Sequence, residues 1–442
     1  MARPTGQDKV RELQRTLYRA AKADPERRFH ALYDKVYRRD VLERAWELVR
    51  ANRGAAGIDK QTIADVEEYG ITKLLDELTA DLKDGHWRPL PARRVFIPKP
   101  GRPTEQRPLS IPTVRDRIVQ AAAKIVIEPI FEADMLECSF GFRPRRSAHN
   151  ALQVLIDEAW RGRRWVLESD IANCFEAIPH SQLMSAIEER IVDRHLLKLL
   201  RAMLRAGVME DQAVRRSGAG TPQGGVISPC LCNVYLHRLD RQWAKRGIGV
   251  LVRYADDMVV MCRTQEEAEC ALVALRTILS ELGLTLKDAK TRIVELREGG
   301  EGLDFLGFHH RWIRGKTPAS RHLCFLARWP SQQAMQHARH RIREITDRRR
   351  LLLPVDDVVQ DLNRFLRGWA GYFRYGNSAI AFDKITYHAL VRLANFIAIR
   401  HDRTGRYGWW AVVHQSPDRL GLVSLDGTIV APRPNRPWRK GR

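Results

Sequence analysis

The stretch Val250-Leu-Val-Arg-Tyr-Ala-Asp-Asp-Met-Val-Val-Met-Cys262 constrains this chain more than any other. Apolar, often β-branched residues flank a pair of carboxylates, Asp256 and Asp257, on both sides. Such runs favour strands, so the pattern predicts two short strands joined at the acidic pair. A hairpin of this kind holds carboxylates at a rigid strand end, where a divalent cation can be gripped. Two adjacent aspartates between buried strands are costly unless a cation or another partner compensates them. Taken alone, the pair also fits an ordinary acidic turn. Consecutive strand residues face opposite ways, which favours Asp256 over Asp257 as a ligand unless the turn swings both inward.

A third carboxylate lies upstream. Trp165-Val-Leu-Glu-Ser-Asp-Ile171 reads as a strand entering the core, with Asp170 near its end. Its neighbours Val166, Leu167 and Ile171 are buried types, so a charge there needs a reason. The alternative is a helix N-cap, because a helix could start at Ala172. Glu168, on the same strand face as Asp170, reads as exposed. Residues 218–233 (Gly-Ala-Gly-Thr-Pro-Gln-Gly-Gly-Val-Ile-Ser-Pro-Cys-Leu-Cys-Asn) form a tight loop feeding a helix, and their glycines permit close backbone approach to a ligand. No Gly-Lys-Ser/Thr follows, so this is not a Walker loop.

Charge points to the partner. The chain has 442 residues, 75 basic against 53 acidic, for a net charge of +22. The simplest partner for such an excess is a polyanion such as nucleic acid. Two loops concentrate it. Residues 91–115 read as a basic, Pro- and Gly-bounded hairpin with Lys99, Arg102 and Arg107, suited to oxyanions. Residues 139–147 interleave Phe140 and Phe142 with Arg143, Arg145 and Arg146, a pattern that pairs with phosphates and packs on sugars or bases. Residues 311–350 hold eleven Lys or Arg against Glu344 and Asp347, ending in Arg348-Arg349-Arg350. Leu362, Phe365, Leu366, Trp369, Ala370 and Phe373 then recur at helical spacing, with Arg364, Arg367 and Arg374 on other faces. A module that is basic outside and apolar inside suits folded RNA. The last ten residues carry five basic groups and read as a flexible tail.

Other features set expectations for the fold. Residues 1–40 read as a polar, basic extension. Helices are predicted over 41–49, 71–82 and 183–204, and from Arg115 to Glu128, where Pro129 should end the helix. Residues 304–309 (Asp-Phe-Leu-Gly-Phe-His) read as one short strand. No apolar run approaches the ~20 residues of a membrane span, and the N-terminus is not a secretory signal. The seven cysteines show no Cys-x-x-Cys pair, which suggests reduced thiols in a cytoplasm.

Strand–Asp170, Pro-Gln-Gly-Gly and Tyr-Ala-Asp-Asp occur in that order, and together they resemble a reverse transcriptase of the bacterial group II intron type. Residues 52–58 (Asn-Arg-Gly-Ala-Ala-Gly-Ile) resemble that family's first block. Residues 96–112 and 139–144 are similar to its second, 169–180 to its third, and 220–233 to its fourth. Residues 254–257 match its fifth, 283–291 and 305–308 its sixth and seventh, and 362–375 its maturase helices. Eight blocks in the right order make a specific signal, covering roughly residues 40–400.

The resemblance implies an α+β right-hand polymerase fold: fingers, a palm with an antiparallel sheet, and a thumb, followed by a helical maturase (X) module. The implied borders are 1–40 for the basic extension, 41–310 for fingers and palm, 311–402 for thumb and X domain, and 403–442 for a short basic tail without an endonuclease. It also implies roles. Asp170, Asp256 and Asp257 would be the catalytic carboxylates holding two Mg²⁺ ions, with the Ile171 carbonyl assisting. Phe175 would reject a 2′-OH, Lys99 and Arg107 would hold the triphosphate, and Gln223 would sit against nucleotide and template. Lys290 would lie near the leaving pyrophosphate. Implied partners are an RNA template, the intron RNA, a DNA primer and target, and dNTPs, with no membrane. The expected activity is RNA-directed DNA synthesis with maturase assistance to splicing and retrohoming. A domesticated reverse transcriptase in repair or phage defence is the alternative. A maturase-only RNA-binding protein is the other, and the intact Asp170, Asp256 and Asp257 argue against it.

Overall fold

The computed structural model describes residues 5–99, 102–210, 213–215, 218–221, 223–315, 318, 320–416 and 418–430. The chain divides into two compact units. Of the described residues, the first unit holds those up to Ile97, in Gln106–Glu158 and in Trp165–Ile293; the second holds those in Pro98–Glu105, in Ala159–Arg164 and from Val294 onward.

Strands follow in chain order as β1 (Ala92–Lys99), β2 (Arg102–Ile111), β3 (Trp165–Asp170), β4 (Val208–Glu210), β5 (Ala213–Arg215), β6 (Val250–Tyr254), β7 (Asp257–Cys262) and β8 (Arg292–Glu295). They form two sheets, β2-β1-β4-β5 and β6-β7-β3-β8. The predicted hairpin is β6–β7, antiparallel from Val250↔Met261 to Tyr254↔Asp257. Ala255 and Asp256 are left as a two-residue turn, and Ala255 has φ 58°, the left-handed conformation such tight hairpins need at their first turn position. β7 also pairs antiparallel with β3, from Trp165↔Cys262 to Asp170↔Asp257. Val166, Leu167, Val259 and Val260 are all fully buried, which explains why these strands read as continuous apolar runs rather than alternating ones. The helix Gln265–Glu281 is N-capped by Thr264 and buries Ala268, Ala271, Leu275, Ile278 and Leu279.

Three sequence expectations for this unit need correction. Pro129 does not end its helix, which runs from Val114 to Glu132. Proline at 129 cannot donate to the carbonyl four residues back, that of Ile125; instead Gln14 Nε2 donates to it at 3.3 Å. The single helix expected over 183–204 is two, His180–Glu188 and Arg194–Arg205. Asp193 starts the second as its N-cap, accepting from the His195 and Leu196 amides, and its other oxygen accepts from Leu32 N at 2.7 Å and Tyr33 N at 2.8 Å. Residues 5–40, expected as a polar, basic extension, also supply core. The helix Gly6–Ala23 places Val10, Leu17 and Ala21 in the core, and Phe29, Leu32 and Val36 join them.

The second unit contains β9 (Leu303–Phe305), β10 (Phe308–Arg314) and β11 (Cys324–Pro330) as the sheet β11-β10-β9, and the helices Gln332–Ile345, Val355–Phe373 and Ala379–Arg400. The stretch expected as one strand is a hairpin: Phe305 pairs with Phe308 around Leu306 and Gly307, both at positive φ (50° and 78°). The apolar stripe of the maturase-like helix is core, with Leu362, Leu366, Trp369, Ala370 and Phe373 buried. The described residues of 405–430 pack on this unit rather than trailing away. Gly408 lies so close to the Ala394 carbonyl that no side chain fits, and Asn363 grips the returning chain by donating to Gly421 O and accepting from Val423 N, each at 2.8 Å. The basic run at 433–442 lies outside the described residues. Among the described residues no helix is long and apolar enough to cross a membrane. All seven cysteines are free thiols.

Candidate active site

The acidic turn is held from within by a residue that sequence reading passed over. Arg253 is the one charged residue of β6, and it is fully buried. Its Nε and Nη2 donate to the two oxygens of Asp240 at 2.8 and 2.5 Å, with neither side chain exposed. This bidentate geometry offsets the desolvation of both charges. Its other donations reach Asn233 Oδ1 at 3.2 Å, Ser139 Oγ at 2.8 Å and the Ala255 carbonyl at 3.1 Å. Through the last of these the guanidinium fixes the turn that carries Asp256. The signal was present: an arginine in an otherwise apolar strand requires a buried carboxylate, and Asp240 sits among Leu236, Leu239 and Trp243 on the buried helix Ser228–Arg246.

The loop at 138–142 is locked to the same hub. Arg253 N donates to Cys138 O at 2.7 Å and Phe140 N donates to Arg253 O at 2.8 Å. Asn233 Nδ2 donates to Gly141 O at 2.8 Å. A Cβ at position 141 would stand 2.5 Å from the Ala255 nitrogen, so glycine is required for this approach.

The strand register brings the three predicted carboxylates together. Asp170 stands directly opposite Asp257, and Asp256 precedes it in the turn. Asp170 is buried, and Asp256 and Asp257 are half-buried. Burial, then repulsion from Asp170, raises the pKa of Asp256 above the usual carboxylate range. Burial, followed by the charges of Asp256 and Asp170, pushes Asp257 up to about 7. Lys290 answers part of this charge, with Nζ 2.6 Å from Asp170 Oδ2. Glu168, expected as exposed, is half-buried in an ion pair with Arg292 at 2.8 Å, and its charge adds a smaller push to Asp257.

Crowded oxygen donors with raised pKa values are under-compensated, and a hard divalent cation supplies what they lack. Among the described residues no three His, Cys, Asp or Glu side chains form a ready-made metal cage. The donor chemistry nevertheless fits such an ion, and a backbone oxygen is at hand. The bridge between Ile171 and Leu286 is made by their neighbours, Ala172 N to Thr285 O (2.9 Å) and Lys287 N to Asp170 O (2.8 Å). The Ile171 carbonyl is not used by that bridge.

Comparison with known proteins decides what this centre belongs to. Residues 97–310 match the family described as reverse transcriptase (RNA-dependent DNA polymerase), and residues 335–412 match the group II intron maturase-specific domain. Protein YkfC of Escherichia coli (strain K12) is 33% identical over 351 residues, which cover 70% of this chain and 89% of the relative. The group II intron-encoded protein LtrA of Lactococcus lactis subsp. cremoris is 39% identical over 215 residues, 48% of this chain but only 35% of LtrA. The putative COX1/OXI3 intron 1 protein of Saccharomyces cerevisiae is 26% identical over 352 residues, 64% of this chain and 41% of the relative.

The chain belongs to the group II intron reverse transcriptase family. It is an RNA-directed DNA polymerase with a maturase domain, and its reverse transcriptase domain has the right-hand polymerase fold. Its catalysis depends on divalent metal, and its partners are RNA and other nucleic acid.

Within the reverse transcriptase, the glycine-rich loop that carries Gln223 touches Phe175 through Thr221. Phe175 lies on the short helix Cys174–Ala177, entered through Asn173 at φ 47°, and packs against the core. Its carbonyl accepts from Thr221 N at 2.6 Å. Gln223 O accepts from Ser110 N at 2.5 Å, and a Cβ on Gly224 would come within 2.5 Å of the Ser110 carbonyl. The glycine-rich loop is thus stitched between the Phe175 helix and β2. Arg107, three residues before Ser110 on β2, is exposed. The side chain of Lys99 lies outside the described residues.

The predicted RNA-binding arginines divide. Arg143 is a correction: its guanidinium is buried, binding Glu132 at 2.7 Å and the carbonyls of Leu136 and Ser139 at 2.6 and 2.7 Å. It holds the loop together and has no surface to offer phosphate. Arg145 is exposed, and Arg146 covers the Phe140 ring at 5.3 Å while donating to Glu137 O at 3.0 Å. In the second unit Arg348, Arg349 and Arg367 are exposed. Arg349 leans on Asp347 at 2.9 Å, and Arg350 is half-buried in a 2.6 Å pair with Asp361.

Proposed function

We propose that this reverse transcriptase extends a DNA primer on an RNA template with two Mg²⁺ ions held by Asp170, Asp256 and Asp257, the Ile171 carbonyl assisting. The observation that carries this reading is the under-compensated carboxylate cluster, with Asp257 pushed up to about 7 opposite Asp170. When bound, the ions stabilise the attacking and leaving oxygens of an in-line displacement at the α-phosphate of a dNTP. The chain's own groups orient that reaction. Lys99 and Arg107 hold the triphosphate and neutralise its charge. Gln223, fixed by its backbone to Ser110, supports the incoming nucleotide and the template. Phe175 packs under the sugar and excludes a 2′-OH. Lys290 exchanges its contact with Asp170 for the leaving pyrophosphate.

In this reading the fingers and palm lie within 41–310 and the thumb and X domain within 311–402. The maturase domain presents Arg348, Arg349 and Arg367 to the intron RNA, aiding splicing and retrohoming into a DNA target, in the cytoplasm. Incubation with an RNA template, an annealed DNA primer, dNTPs and Mg²⁺ should extend the primer. Chelation should stop extension and added Mg²⁺ should restore it. Absence of product with every divalent cation tried would overturn the reading.

A further inference from the structure

The peptide between Gly220 and Thr221 is gripped at both ends. Its N–H, that of Thr221, donates to the Phe175 carbonyl at 2.6 Å. Its oxygen, that of Gly220, lies 2.6 Å from Nε2 of His180. A carbonyl oxygen only accepts, so Nε2 carries the hydrogen and donates it. The peptide unit is planar, so a side chain that fixes the oxygen also fixes the direction of the N–H.

Neighbouring contacts do not replace this grip. Gly220 N donates to Ile178 O at 2.8 Å and His180 N donates to Gly218 O at 3.1 Å, which together bridge Pro179 to Ala219. These bonds set the two segments side by side but leave the 220–221 peptide itself unrestrained. Gly220 is required there, because a Cβ would stand 3.0 Å from the Cα and carbonyl oxygen of Glu176. Its φ is 94°, and glycine restricts the following peptide least of all residues. His180 supplies the restraint that the glycine lacks. Further along, the loop is fixed independently, with Gln223 O accepting from Ser110 N at 2.5 Å. The gripped peptide is therefore the adjustable joint between Phe175 and Gln223.

We infer that His180 is a positioning residue for sugar selection, holding the Gly220 carbonyl so that the Phe175 gate stays in register with Gln223. The inference rests on reading Phe175 as the residue that excludes a 2′-OH and Gln223 as the support of the incoming nucleotide. In that reading the nucleotide is held against both. A gate works by contact, so a small recession of the ring admits a hydroxyl while a deoxynucleotide still binds and reacts.

The test compares kcat/KM for a dNTP and the matching rNTP, on an RNA template with an annealed DNA primer and Mg²⁺. The ratio of the two does not depend on the fraction of active protein, so a merely structural role leaves it unmoved. His180→Ala should raise relative ribonucleotide incorporation about five-fold, the scale of one hydrogen bond's net contribution. His180→Phe keeps a flat ring without an N–H and should do the same. His180→Gln, which retains a terminal N–H donor, should restore the wild-type ratio. In a Phe175→Ala background His180→Ala should change the ratio no further, because the ring through which it acts is gone. An unchanged ratio in His180→Ala and His180→Phe, or a full additional effect on top of Phe175→Ala, would overturn the inference and leave the gate standing. A wild-type ratio in Phe175→Ala itself would overturn the gate reading, and the inference with it.

Discussion

Arg253 Nη2 lies 2.5 Å from Asp240 Oδ2 with both side chains withdrawn from solvent, and the same guanidinium donates to the Ala255 carbonyl in the acidic turn. Asp240→Ala leaves a buried cation without its carboxylate. Breaking such a pair costs about 3–5 kcal/mol, whereas an exposed pair contributes about 0–1 kcal/mol. Urea unfolding should show the larger loss. A loss below about 1 kcal/mol would contradict the description of Arg253 as the anchor of the turn.

His310 gives the second unit a sensitivity to acid. It is fully buried in β10, and neither ring nitrogen has a hydrogen-bond partner among the described residues. Burial, reinforced by Arg328, lowers its pKa from 6.5 to about 3. The unfolded chain therefore binds a proton that the folded chain refuses. Stability is fully present above pH 6.5 and is lost as pH falls toward 3, with the loss reaching about 3 kcal/mol by pH 4. His310→Leu should remove this contribution. The check is the difference in unfolding free energy between pH 7 and pH 4 for the two proteins; identical differences would refute it.

Arg143 and Arg145 are two residues apart and should behave as opposites. Arg143→Ala removes a buried guanidinium that binds Glu132 and two carbonyls, so it should lower the melting temperature. Arg145→Ala should leave the melting temperature unchanged and weaken RNA binding, with the slope of log affinity against log salt falling by roughly 0.7–0.9 for one lost phosphate contact. Equal thermal effects from the two substitutions would contradict the assignment.

Phe175 is held at the glycine-rich loop through its own carbonyl, so its ring can be trimmed without unstitching Thr221. Phe175→Ala should raise ribonucleotide incorporation relative to deoxynucleotide by roughly ten-fold or more, read from extension with each nucleotide separately. Unchanged discrimination would remove the gate role.

The acidic hairpin was legible because its information is local: apolar β-branched runs on both sides of an acidic turn admit few alternatives. Asp170 was legible for the same reason, and the β3–β7 register then set it opposite Asp257. The missed features depend on distant residues. Pro129 passes through its helix because Gln14 serves the Ile125 carbonyl, a compensation from 111 positions away. Arg143 read as surface charge because nothing beside it shows that Glu132 turns inward to meet it. Leu306 defeated the strand prediction because leucine rarely accepts positive φ, and only Gly307 hinted at the turn. Arg253 was a buried ion that its own apolar strand announced.

The central claim is that Asp256 acts as a metal ligand in DNA synthesis on RNA. Asp256→Asn keeps the shape of the side chain and removes a charge that Asp170 repels, so the metal-free variant should be as stable as the wild type or more so. Primer extension on an RNA template at saturating Mg²⁺ should nonetheless fall by at least about 100-fold in kcat. A stable Asp256→Asn protein that extends the primer at the wild-type rate would contradict the account.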